Sequence, residues 1–207
     1  MLSTGQIDAF YKNRLKEHGA GSQGVGWKDD HAQQIRFEQL VKVITTSQYS
    51  VNDLGCGTGD LYPYLQAHVP GLKAYYGYDI LPEMIDLALR NNPQADTAVF
   101  KKITTLEEMD LADYTVASGI FNPRFDVLDE PWKAHIIKTL DAMNQKSRLG
   151  FAFNALTTYS DAPLMKPELF YSDPLWLFDH CKTRYAKQVA LLHDYGIYDF
   201  TIIVRKS

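Results

Sequence analysis

Between residues 50 and 61 the chain reads Ser-Val-Asn-Asp-Leu-Gly-Cys-Gly-Thr-Gly-Asp-Leu, and three glycines at alternate positions leave few backbones open to it. The residues before the glycines read as a strand. After them Leu61, Leu65 and Val69 recur at helical spacing, with Pro63 in the first turn, where a missing N–H costs nothing. The stretch is therefore a strand, a tight loop and a helix. Gly55, Gly57 and Gly59 let the main chain turn sharply and keep side chains out of the space above it, so a ligand can touch backbone atoms directly. A second informative stretch, Tyr75-Tyr76-Gly77-Tyr78-Asp79-Ile80, follows at the distance of one helix and one strand. Its only carboxylate falls where the apolar run stops. Asp79 is expected at the carboxyl end of a strand, the edge that lines the ligand crevice of an open parallel sheet. A carboxylate there can accept from the two vicinal hydroxyls of a ribose. The same residue can cap the helix that begins at Leu81-Pro82-Glu83-Met84.

Asp60 stands where a dinucleotide-binding fingerprint carries its third glycine, which disfavours a nicotinamide dinucleotide. Taken together, the two stretches resemble the first two motifs of class I S-adenosylmethionine-dependent methyltransferases of the small-molecule type. In that family an acidic residue ends the first strand and a Gly-Cys-Gly-x-Gly loop follows; the matching positions are Asp53, Gly55, Cys56, Gly57 and Gly59. The resemblance spans roughly residues 29 to 205. It implies a Rossmann-like, doubly wound α/β fold of three αβα layers, with a mostly parallel sheet closed by an antiparallel C-terminal hairpin. It also implies S-adenosylmethionine as cofactor, held by those residues, by Asp60, by Asp79 and Ile80, and by Ser118, Gly119 and Ile120 at the end of the fourth strand. Arg36 borders the inner face of the helix before the loop. Two roles are open to it, a pair with the carboxylate of the cofactor's methionine moiety or a pair with nearby acids. Many class I members place an acid or amide after the third strand to read adenine. This chain has Lys102-Ile103-Thr104-Thr105, so Thr104 or backbone atoms are expected in that role.

With 207 residues, 45% hydrophobic and 22% charged, the chain suits one globular domain with a core of its own. Its two cysteines, Cys56 and Cys181, provide no disulfide framework, which points to a reducing compartment. The N-terminus carries Asp8, Lys12 and Arg14 among short apolar steps, and no segment approaches membrane-spanning length. A cytoplasmic monomer or homodimer without a membrane partner is expected. A net charge of −4 argues against nucleic acid, since clustered Lys and Arg hold phosphate backbones and Lys101-Lys102 is a short run. The six histidines are scattered without acids at metal-ligand spacing, so no metal is expected.

Residues 4 to 18 have one apolar helical face and end in a glycine-rich stretch before Trp27, a pattern that suits a lid over residues 1 to 28, with Tyr11 and Trp27 as aromatic contacts to the cofactor. The main domain then runs from 29 to 207. Helices are expected over Asp29–Ile44, Pro82–Asn92 and around Trp132–Met143, and from Pro174 onward. Further strands are expected at Thr97–Phe100, Tyr114–Phe121 and Gly150–Asn154, and in a hairpin of Val189–Leu192 with Phe200–Val204. Asn122-Pro123-Arg124-Phe125 is similar to the Asn-Pro-Pro-Tyr signature of base methyltransferases, but its offset from the strand start and its Arg124 differ. The irregular loop from Ala155 to Asp173 carries aromatic and acidic side chains suited to a small acceptor. The expected reaction is in-line methyl transfer to an O, N or C nucleophile, with His193, Asp161 or Tyr159 as base. A non-catalytic cofactor-sensing protein and a protein or peptide methyltransferase are the alternatives.

Overall fold

The computed structural model describes residues 30–206, so the expected lid, with Tyr11 and Trp27, lies outside the described residues. Seven strands form one sheet in the order β3-β2-β1-β4-β5-β7-β6. They are β1 (Tyr49–Leu54), β2 (Leu72–Asp79), β3 (Ala98–Lys102), β4 (Ala112–Ala117), β5 (Ser147–Leu156), β6 (Gln188–Leu192) and β7 (Asp199–Arg205). The first five run parallel, whereas β7 lies antiparallel to both β5 and β6. This is the expected α/β architecture with its reversed hairpin.

Helices cover both faces because the strands bury both sets of alternating side chains. Phe151, Phe153 and Ala155 of β5, with Phe200, Ile202 and Val204 of β7, pack against α4 (Asp129–Gln145) and α5 (Pro174–Arg184). The intervening Ala152 and Ile203 join Val51, Tyr75, Tyr114 and Val116 on the opposite face, under α1 (Asp30–Leu40), α2 (Leu61–His68) and α3 (Pro82–Asn91). On α4 the residues Trp132, Ile136, Leu140 and Met143 form one buried stripe. The Trp132 indole N–H donates to the Phe121 carbonyl at 3.1 Å, so its one polar atom is satisfied in the core. Among the described residues no helix is long and apolar enough to cross a membrane, and no group of three or more His, Cys, Asp or Glu could hold a metal ion.

Two elements end several residues short of the periodicity. Helix α1 stops at Leu40 and tightens into a 3₁₀ turn over Val41–Val43. Strand β4 ends at Ala117 rather than Phe121, because Gly119 adopts a φ of +71° and its N–H turns toward the Asn154 side chain at 2.7 Å. The chain there leaves the sheet as a turn.

Arg36 joins the two ends of the described chain. Its Nε and one terminal nitrogen donate to the two oxygens of Asp199 at 3.0 and 2.6 Å, and both side chains are buried. Breaking a buried pair leaves one uncompensated charge, which costs more than the pair itself contributes. Asp199→Ala should therefore lower unfolding free energy by about 3–5 kcal/mol in urea titration, and the Arg36→Met/Asp199→Leu double variant should regain much of the loss.

Candidate functional site

All the parallel strands end on one edge of the sheet, and the glycine loop rises from the middle of that edge. Gly55 and Cys56 both donate their N–H to the Tyr78 carbonyl at the end of β2, at 2.8 and 2.9 Å. This bends the chain away from β1 at once. The three loop glycines all have positive φ, +78°, +52° and +80° for Gly55, Gly57 and Gly59. At Gly55 the demand is also steric, because a Cβ there would lie 2.3 Å from the Cγ2 of Ile120. The turn after β4 is thus pressed against the loop after β1, and both border one crevice.

Three carboxylates gather around this loop. Asp79, at the last position of β2, accepts from the Gly57 N–H through Oδ2 at 3.1 Å and from the Leu81 N–H through Oδ1 at 2.9 Å. Asp60 opens α2 and accepts from the Thr58 hydroxyl at 2.7 Å and the Gln33 amide at 3.1 Å. Asp53 is buried at the end of β1 and accepts a 2.5 Å bond from the Tyr75 hydroxyl. Burial pushes the Asp53 carboxyl up to about 7; the Tyr75 bond works against this, and the neighbouring charges of Asp79 and Asp60 add to it. Asp79 is raised as well, chiefly by burial, although backbone N–H groups oppose the rise. Burial and the same acids hold the Cys56 thiol well above its ordinary value, so it stays protonated and unreactive.

At the ends of β4 and β5 two asparagines brace the opposite wall. Asn154 accepts from the Gly119 N–H at 2.7 Å and donates to the Ser118 hydroxyl at 3.2 Å. Asn122 accepts from the Leu156 N–H through its side chain and from the Phe170 N–H through its carbonyl, at 3.0 and 2.7 Å. The loop after β5 is held in place by the turn after β4. Next to it Phe125 has a φ of +55°, and the N–H groups of Arg124 and Phe125 both donate to the Glu168 carbonyl.

The comparisons with known proteins agree with this geometry. A family model described as a methyltransferase domain matches residues 51–144, from β1 to the end of α4. The Mycobacterium tuberculosis protein named "Putative methyltransferase Rv1506c" is 52% identical over 160 residues, 77% of this chain and 94% of its own. The chain belongs to the class I S-adenosylmethionine-dependent methyltransferases. Two solved structures share the fold at 14% identity. One is magnesium protoporphyrin IX methyltransferase from Synechocystis PCC 6803 with bound S-adenosylhomocysteine, with a TM-score of 0.69 over 99% of this chain and 100% of that one. The other is the N-methyltransferase NodS from Bradyrhizobium japonicum WM9 with the same ligand, with a TM-score of 0.68 over 96% and 97%.

The cofactor of this methyltransferase is S-adenosylmethionine, and the residues at the crevice fit it. Three glycines keep the loop itself free of bulk at alternate positions, and the three acids beside it suit a molecule with a sulfonium and an ammonium group. The sequence-expected residues Asp53, Gly55, Cys56, Gly57, Gly59, Asp60, Asp79, Ser118, Gly119 and Ile120 all lie at this edge. Ile80 adds an exposed apolar side chain beside Asp79. Arg36 reaches Asp199 with two nitrogens and the Ala32 carbonyl with the third. Thr104 gives both its N–H and its hydroxyl hydrogen to Glu108, each at 2.8 Å.

Of the three base candidates, His193 and Tyr159 meet. His193 follows β6, with its ring centroid 5.8 Å from Tyr159 and 6.1 Å from Phe200. Asp161 accepts from the Tyr198 hydroxyl. Sequence reasoning passed over Tyr75, Asn154 and Tyr198, whose partners lie 22, 35 and 37 positions away along the chain. The Glu108 contact did carry a local signal, the Thr105-x-x-Glu108 spacing of a capping box.

The raised Asp53 carboxyl has a pH consequence. Between its ordinary 3.8 and about 7 the folded protein keeps a proton that the unfolded chain has released, so this group's contribution to stability falls as pH rises through that window. A cationic ligand prefers the ionised form and must expel that proton. Calorimetric affinity for S-adenosylmethionine should thus tighten from pH 6 to pH 8 with proton release, and Asp53→Asn should flatten the dependence.

Proposed function

We propose that this methyltransferase acts on a small-molecule acceptor, whose O, N or C nucleophile approaches from the side of the loop after β5. The observation that carries this reading is the exposed group of Tyr159, Asp161, His193 and Tyr198, which shares the carboxyl edge with the glycine loop. Of these side chains His193 rests edge-on against the core ring of Phe200, and Asp161 accepts from the Tyr198 hydroxyl.

When bound, S-adenosylmethionine supplies a methyl group already activated on a sulfonium. The protein's task is mainly to hold two partners in line, and positioning alone can supply much of the rate. In this reading Asp79 holds the ribose. A carboxylate has about four lone-pair sites, two of which receive the Gly57 and Leu81 amides, so both oxygens can still accept from a hydroxyl. Since the donors of Thr104 are taken by Glu108, a contact to adenine would use its hydroxyl oxygen as acceptor for the amino group. His193 is the preferred base, because a neutral imidazole nitrogen can accept a proton and this ring stands at the strand end between two aromatic rings. The Tyr198 bond to Asp161 raises the tyrosine's pKa, which keeps Tyr198 a donor and leaves Asp161 as an acceptor toward the mouth.

Two measurements test the reading. Asp79→Ala should weaken cofactor affinity by at least tenfold, about 1.4 kcal/mol, with the fold intact by circular dichroism; a loss under threefold would remove the ribose role. With isotope-labelled methyl donor and a cell extract, label should appear among small molecules and not in the protein fraction. His193→Ala should slow that transfer by about 10²–10⁴ while cofactor affinity stays put. Label confined to protein would favour the peptide alternative.

A further inference from the structure

We propose that Asn154 is a positioning residue that fixes Ser118 as the hydroxyl donor to the α-carboxylate of bound S-adenosylmethionine. The inference rests on the cofactor assignment above and concerns which atoms of this chain meet one end of the molecule.

The orientation of the Asn154 amide is set by its partner. A backbone N–H can only donate, so the Asn154 atom 2.7 Å from the Gly119 nitrogen is the carbonyl oxygen. The amide nitrogen, which can only donate, then faces the Ser118 oxygen at 3.2 Å. Ser118 must accept there. Its own hydrogen is turned away from Asn154, and among the described residues no acceptor takes it. Asn154 is fully buried, whereas Ser118 is partly exposed at the end of β4. Ile120, two residues on, packs against Gly55, so the turn that carries Ser118 lies against the glycine loop.

The ligand's needs point the same way. Besides its two cationic groups the cofactor carries a carboxylate, and Asp53, Asp60 and Asp79 all repel it. The Arg36 guanidinium is bound at Asp199 and Ala32. Four loop amides are also spent inside the fold, those of Gly55 and Cys56 on the Tyr78 carbonyl, Gly57 on Asp79 and Gly59 on the Cys56 carbonyl. A preset hydroxyl at the strand end adds a side-chain donor to this acidic crevice, and a bond from it to an anion is of the stronger, charge-assisted kind.

The test is calorimetric binding to the full-length protein with three probes: S-adenosylmethionine, S-adenosylhomocysteine and decarboxylated S-adenosylmethionine. Ser118→Ala should weaken the first two about tenfold and leave the decarboxylated probe unchanged, while Ser118→Thr keeps wild-type affinity for all three. Asn154→Asp keeps an acceptor for the Gly119 N–H but takes the Ser118 hydrogen instead of offering one, so it should reproduce the Ser118→Ala pattern. Wild-type affinity for S-adenosylmethionine in Ser118→Ala would overturn the proposal. So would an equal loss for the decarboxylated probe, which would assign the effect to the fold of the turn. Failure of the wild-type protein to bind S-adenosylmethionine at all would overturn the cofactor assignment and this inference with it.

Discussion

The last two residues of β2 hold the loop that follows β1, and most of the site depends on that crossing. The Tyr78 carbonyl takes the N–H groups of Gly55 and Cys56, and the Asp79 carboxylate takes those of Gly57 and Leu81. One carboxylate thereby orders the glycine loop and the start of α3 together. Both amides would otherwise be left without partners in a partly buried place, at a cost of about 1–3 kcal/mol each. The strand that carries Asp79 lies next to β1 in the sheet, so parallel pairing from Ser50↔Ala74 to Leu54↔Tyr78 fixes the height at which the two ends meet. Loop and carboxylate are a single device.

That device concentrates negative charge. Asp53, Asp60 and Asp79 surround a few residues of backbone, and burial makes ionisation of Asp53 and Asp79 costly. A site of this kind is relieved by a cation. S-adenosylmethionine carries one more positive charge than its demethylated product. The opposite wall is neutral. Asn154 and Asn122 brace it through carboxamides that cross from one strand end to the next, which keeps it in shape without adding charge.

How much of this was legible depended on sequence distance. The glycine loop, Asp79 and the closing hairpin were readable because each is a local pattern, a turn chemistry or an apolar run, and the sheet order followed from the family resemblance. The features that periodicity missed arise from pairings far apart in the chain. Strand β4 ends early because Asn154, 35 positions later, draws the Gly119 N–H out of the ladder. Arg36 lies 163 positions from Asp199, and nothing near either residue signals the pair. Tyr75 looks like one more core aromatic until its hydroxyl is seen against Asp53. The turn Asn122-Pro123-Arg124-Phe125 was equally silent, since its contacts run to Leu156, Glu168 and Phe170.

If the carboxyl edge is one site organised by Asp79, its parts must respond to ligand together. Titrating S-adenosylhomocysteine into ¹⁵N-labelled protein follows each amide separately. The resonances of Gly55–Gly59, Ile80, Leu81 and Ser118–Ile120 should shift along a common binding curve, with those of Lys146, Ser147 and Asp113 at the opposite edge unmoved. Shifts centred on that opposite edge, or different affinities reported by the glycine loop and by the Ser118–Ile120 turn, would contradict a single site built on the crossing of β1 and β2.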